Sequence, residues 1–203
     1  MRSFIDEVKD IHKGQDVYIV GKGPSLQYLT GQMIGKGIII TLNDAILKID
    51  SLNLTNLIYS MQKDCPGSYP VTNEVPTQKE CVNKEYHNKL RPKNATLLVH
   101  KHESIHCSPD YSPRMVFDNL ELGLLWHDFS WMSAIRIGQE MGCEIFYFIS
   151  FDAFVFATEE ETYGYQRNRI IPLLNHINHQ FITPKNDNSY YSHRFPASPN
   201  KSL

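Results

Sequence analysis

Apolar residues in this chain gather in short unbroken runs, with longer polar stretches between them. Five such runs, at 16–20, 36–42, 57–61, 95–100 and 144–149, are rich in Val, Ile, Leu and Phe and show little polar alternation. Runs of this kind read as strands buried on both faces, as in a parallel sheet covered by helices. Elsewhere the period changes. Phe4, Ile5, Val8 and Ile11 predict a helix over 3–13, ended by Gly14. A short helix is expected from about Ser25 into Leu29, and another over 45–49. Met132, Ile135, Ile137 and Met141 give an apolar face to a helix that opens at 126–131 and stops at Gly142. Ile170, Ile171, Leu174 and Ile177 predict a helix over 166–179.

The remaining stretches carry no apolar period. Residues 63–94 read as a lid-like loop, 108–125 as a loop-rich connection and 184–203 as an irregular tail. Strands alternating with helices define the class: α/β, one domain over 1–203, with a mainly parallel sheet flanked by helices and a long loop insertion.

Composition narrows the function only slightly. With 203 residues, 41% hydrophobic, the chain can build a full core. A net charge of −2 gives no global basic field for nucleic acid. The amphipathic, charged start is unlike a signal peptide, and no apolar run reaches the length of a membrane span. A cytoplasmic protein is therefore expected. Cys65, Cys81, Cys107 and Cys143 follow no C-x-x-C spacing and are expected as free thiols.

Chemistry enters at the end of the first strand. Gly21-Lys22-Gly23-Pro24-Ser25 joins a buried run to a helix start. Glycines let the backbone approach a bulky group, and Pro24 suits a first helical turn. Unpaired amides at such a turn favour an anion such as a phosphate. The same turn without a ligand is the competing reading. The spacing fits neither a dinucleotide fingerprint nor a Walker loop. Asn43 and Asp44 follow the second run, where ligands of parallel sheets sit; helix capping explains them equally well. His100, His102, His106 and Cys107 lie close together but match no strong zinc template.

Val-Tyr-Ile-Val-Gly-Lys-Gly-Pro-Ser-Leu, Ile-Thr-Leu-Asn-Asp and Met-Gly-Cys-Glu-Ile-Phe-Tyr-Phe-Ile-Ser-Phe-Asp together resemble a Rossmann-type superfamily. One branch holds the bacterial sialyltransferases that use CMP-sialic acid. Another is the MptE-like group, related to archaeal 6-hydroxymethylpterin diphosphokinase and to flagellin-glycosylation proteins. The resemblance implies a Rossmann-like fold and a nucleotide held by Gly21, Lys22, Gly23, Pro24 and Ser25. It sets Asn43 against the nucleotide or sugar, Ser60 to Gln62 near the donor, Ser130 at a donor-side loop and Asp152 at the end of the late strand. It likens 186–193 to a segment carrying a histidine base, His193 here.

Glycosyl transfer needs a held phosphate, a neutralised leaving group and a deprotonated acceptor hydroxyl. No Asp-x-Asp metal motif occurs, so the leaving group would lean on Lys22, Tyr163, Tyr165 or Arg167 without metal. His193 is the first candidate base because histidine titrates near neutrality, with His127 and Asp152 behind it. The expected function is a metal-independent glycosyltransferase with a nucleotide-sugar donor and no further cofactor. The acceptor hydroxyl sits on a glycan, a lipid-linked sugar, a protein or a modified base in DNA, and a homo-oligomer is left open. The alternatives are an ATP-dependent diphosphokinase, for which Asp44, Asp64 and Asp152 are the candidate Mg²⁺ ligands, and a non-catalytic nucleotide-binding module.

Overall fold

A computed structural model of the chain describes residues 3–63, 94–102, 113–152, 154 and 164–184. Strands are β1 (Val17–Val20), β2 (Ile38–Leu42), β3 (Leu57–Gln62), β4 (Ala95–His100), β5 (Arg114–Phe117), β6 (Ile145–Ile149) and β7 (Asn178–Ile182). Helices are α1 (Phe4–Val8), α2 (Ala45–Ser51), α3 (Ser130–Glu140) and α4 (Gly164–Leu174), with 3-10 turns at Pro24–Tyr28 and Gly31–Met33. All seven strands form one parallel sheet in the order β5-β4-β3-β2-β1-β6-β7, the α/β Rossmann-like arrangement.

Burial on both faces explains the unbroken apolar runs. Val17 and Ile19 of β1 point to one face with Ile38, Ile40, Phe146 and Phe148, where α1, α3 and α4 pack. Tyr18 and Val20 point to the other, with Ile39, Ile58 and Ile149 under α2 and the 3-10 turns. Both faces of β1 therefore meet apolar layers, so successive residues stay apolar in place of alternating with polar ones.

Three expectations change. The first helix ends at Val8, not near 13, because Asp10 takes a left-handed conformation (φ 57°) and the chain runs on in turns. The connection 108–125 contains a strand, β5. The helix expected to reach 179 stops at Leu174, and 178–182 pairs with β6 instead. Both missed strands lie at the edges of the described sheet, with a single strand neighbour among the described residues, and apart from Phe117 their side chains are only partly buried or exposed.

Close approach of α3 to the sheet depends on Gly138. A Cβ there would lie 2.7 Å from the ring edge of Phe146 and 3.5 Å from Val17. Alanine gains about 1 kcal/mol of helix propensity, while overpacking costs about 1–3 kcal/mol. Phe146 is fully buried and has nowhere to turn, so overpacking wins. Gly138→Ala is expected to lower stability by about 1 kcal/mol in urea denaturation; a stabilised variant would show that α3 can shift outward.

Candidate functional site at the strand carboxyl ends

Strand order locates the point to look. From β1 the sheet grows through β2 to β5 on one side and through β6 to β7 on the other. Connections leaving the carboxyl ends of β1 and β6 diverge there, which is where parallel sheets of this kind hold ligands. Gly21–Ser25 and Ser150–Asp152 meet across this point.

The meeting is tight. The Gly21 amide donates to the Ile149 carbonyl (2.8 Å) and the Gly23 amide to the Ser150 carbonyl (2.9 Å). Ser25 N–H donates to Asp152 Oδ2 (2.7 Å), and Ser25 Oγ lies 2.6 Å from Asp152 Oδ1 and 3.1 Å from Ser150 Oγ. A serine has one hydroxyl proton; the carboxylate takes it, and the Ser150 hydroxyl is left to donate to Ser25. Ser25, Ser150 and Asp152 are all buried. Two amides that the sequence offers to a phosphate, those of Gly23 and Ser25, are thus met by the protein's own Ser150 carbonyl and Asp152 carboxylate. Pro24 has no amide hydrogen to offer. Both Asp152 oxygens are engaged by Ser25.

Strain collects at the same place. Four non-glycine residues among those described have positive φ, and two of them, Asn43 (50°) and Ser150 (59°), close β2 and β6, the neighbours of β1. Such conformations cost free energy and persist where the surroundings enforce them. Asn43 is held by its amide on the Met61 carbonyl (2.8 Å) and by Gln62, whose Nε2 donates to the Asn43 carbonyl (3.2 Å) and lies 3.1 Å from Ser60 Oγ. Asp44 sits at the start of α2 without capping it through its side chain. It pairs instead with Lys22 at 3.3 Å, both about half exposed, a contact that water and salt weaken. Lys22 thereby stands at the solvent side of the β1 and β2 ends.

A second polar cluster, of which only His100 and His102 stood out in the sequence, lies over the ends of β3 to β5. Residues 118–129 run from β5 toward α3 and are fastened from beneath. Asn119 Nδ2 donates to the carbonyls of Leu125, Trp126 and Asp128, and Ser133 Oγ donates to Asn119 Oδ1 (2.7 Å). Buried Lys63 donates to the Asp128 carbonyl. Asp128, fully buried, accepts the Leu125 amide (2.7 Å) and an N–H of Arg169 from α4, both on Oδ2. Beside it, burial and the Lys63 cation lower the pKa of His100 to about 4, so the ring is neutral at pH 7. Burial pulls Asp118 up, yet the Leu120 amide, then His102 and Lys101, hold its carboxyl below the usual value. The partners in this cluster are 41 and 65 residues apart for Asp128 alone. No local motif announces them.

The helix expected to open within 126–131 begins at Ser130, and the next residue, Trp131, stacks on Phe151 at 5.1 Å, tying that helix start to the end of β6. Tyr165 lies in α4. His193, Tyr163, Asp64, residues 64–93 of the lid-like loop expected at 63–94, residues 185–203 of the tail expected at 184–203, and His106 and Cys107 of the histidine-cysteine cluster lie outside the described residues. Cys143 is a free thiol whose pKa burial, then Asp16, pushes up to about 12, so it is unreactive at neutral pH. Among the described residues no group of three His, Cys, Asp or Glu side chains gathers as a metal site would, and no helix is long and apolar enough to cross a membrane. Comparison with known proteins gives no match to a family model, to a curated protein or to a solved structure.

Proposed function

We propose that this chain is a metal-independent glycosyltransferase that binds a nucleotide-activated sugar at the carboxyl ends of β1, β2 and β6 and passes the sugar to a hydroxyl acceptor. The observation that carries the reading is the point at β1 where the sheet diverges, flanked by the left-handed Asn43 and Ser150. Strain of this kind concentrates where ligands bind.

In this reading Lys22 turns from Asp44 to the donor phosphate, since the pair is exposed and cheap to open. Asn43, Ser60 and Gln62 line the nucleotide side. Asp152 holds the Gly21–Ser25 turn in shape, because both its oxygens are engaged by Ser25. His193 is the proposed base, with Tyr163 and Tyr165 near the leaving group. The resemblance to the sialyltransferase branch supports these last three roles.

Thermal denaturation with CMP, UDP, GDP, ADP and ATP, each with and without EDTA, tests it. At about one hundred times its Kd, a ligand binding only the folded state adds about 2.7 kcal/mol, which is roughly 5–10 °C for a chain of this size. The expected result is a shift by one nucleotide that EDTA leaves intact. A shift seen only with ATP and Mg²⁺ would replace the transferase with the diphosphokinase, and no shift with any nucleotide would remove the nucleotide site.

A further inference from the structure

The Asp128–Arg169 pair is incomplete in a particular way. Arginine and carboxylate usually join by two parallel N–H···O bonds. Here a single Arg169 N–H reaches Asp128 Oδ2, which also holds the Leu125 amide. Asp128 Oδ1 and Arg169 Nε are both buried, and neither has a hydrogen-bond partner among the described residues. One is an acceptor and the other a donor, on two side chains already in contact. A buried polar group left so costs about 1–3 kcal/mol. The Arg169 side chain is about one-third exposed, so its outer edge faces water while its inner edge meets Asp128.

Position adds to this. Asp128 immediately precedes α3, whose first turn abuts the end of β6 through Trp131 and Phe151. The pair therefore stands on the same edge of the sheet as the ends of β1 and β6. The Gly23 and Ser25 amides there are taken. Beyond Lys22, an incoming phosphate there needs another donor.

We propose that Asp128 and Arg169 form a seat for a sugar phosphate, with an anionic oxygen on Arg169 and a sugar hydroxyl donating to Asp128 Oδ1. A group bringing one acceptor and one donor answers both unpartnered atoms, and a nucleotide sugar carries both. The single bond to Oδ2 leaves the guanidinium able to turn toward the ligand. The assignment rests on the donor reading above. It makes Arg169 a binding residue that recognises phosphate, and Asp128 both its support and the hydroxyl acceptor.

The probe is α-glucose 1-phosphate, which lacks a nucleoside, set against equal concentrations of inorganic phosphate and of glucose at matched ionic strength. Binding to the full chain is followed by thermal shift and by titration calorimetry. Glucose 1-phosphate is expected to bind more tightly than either control. Arg169→Gln should weaken it by about tenfold or more, the scale of one charge-assisted hydrogen bond. Arg169→Lys, which keeps the charge and loses the fork, should fall between. Asp128→Asn should bring glucose 1-phosphate down to the level of phosphate alone; if that variant does not fold, the two Arg169 variants decide. Equal binding by wild type and Arg169→Gln, or no binding of glucose 1-phosphate, would overturn the seat. So would a crystal structure with one water joining Oδ1 to Nε that persists in the presence of the probe. Nucleoside diphosphates run in parallel separate the two readings. Nucleotide binding indifferent to Arg169→Gln removes the seat and keeps the nucleotide site. Glucose 1-phosphate binding lost in Arg169→Gln, with no nucleotide binding, keeps the seat and removes the nucleotide site.

Discussion

Replacing Gly23 with alanine should destabilise the protein by roughly 3 kcal/mol or more, the upper range for overpacking together with a broken buried hydrogen-bond set. The backbone is not the obstacle: Gly23 has φ −62° and ψ 157°, open to any residue. Space is. A Cβ would fall against Asp152 Oδ2, 2.8 Å from its Cγ and 2.5 Å from the Ser150 carbonyl oxygen. Asp152 cannot step aside without releasing the Ser25 amide and hydroxyl, both buried. Gly21→Ala is a graded control, since its Cβ would meet the same carbonyl at 3.0 Å and the Phe151 ring at 3.2 Å. Asp152→Ala should itself cost about 1–3 kcal/mol by leaving Ser25 unpaired. In the double variant the clash with the carboxylate is gone, so the two costs should add to less than their sum, the mark of side chains in contact. Urea denaturation of the four proteins measures this. Strict additivity would mean that Gly23 and Asp152 do not share the space described above.

Acid should loosen the protein well before its carboxylates are protonated. The His100 pKa lies at about 4 in the folded chain, against 6.5 for the free side chain. As pH falls below about 6.5, the unfolded chain takes up the proton and the folded chain does not. Stability is therefore whole above 6.5 and is lost progressively toward about 4. The difference of 2.5 pH units corresponds to about 3 kcal/mol. His12, lowered by burial and within 2.7 Å of the Tyr59 hydroxyl, adds a loss of the same sign. Asp118, held below its usual value, adds one at still lower pH, lost as pH falls through its folded pKa. Urea midpoints at pH 7.5, 6, 5 and 4 should fall steadily, and His100→Gln should flatten most of that slope. A variant as pH-sensitive as wild type would place the titration elsewhere.

What the sequence disclosed follows from how each element is buried. β1, β2, β3, β4 and β6 lie between two apolar layers or two strands, so composition alone marked them. Among the described residues β5 and β7 have one strand neighbour each, and residues such as Arg114, Asn178 and Gln180 resemble loop or helix surface. Ile177 fell in helical register with Leu174, yet it reaches the core from a turn. The glycine turn and Asp152 were both legible as site residues. Their bond was not, because a span of 127 residues separates Ser25 from Asp152 and nothing local records it. Lys63, Asn119, Asp128 and Arg169 were invisible for the same reason: each looks like an ordinary polar residue until the strands bring it under the sheet edge.

The strand order also has a consequence for synthesis. β1 pairs with β2, which follows it closely, and with β6, which begins at Ile145. A ribosome adding about 5–20 residues per second needs on the order of ten seconds to travel from one to the other. Throughout that interval the nascent sheet ends in Val17–Val20, whose side chains are all buried in the finished protein but whose outer edge then has no partner. Bare apolar edges of this kind recruit other chains. A nascent chain paused before Ile145 would therefore be the aggregation-prone species and the natural client of a chaperone, and arrival of β6 would end that exposure.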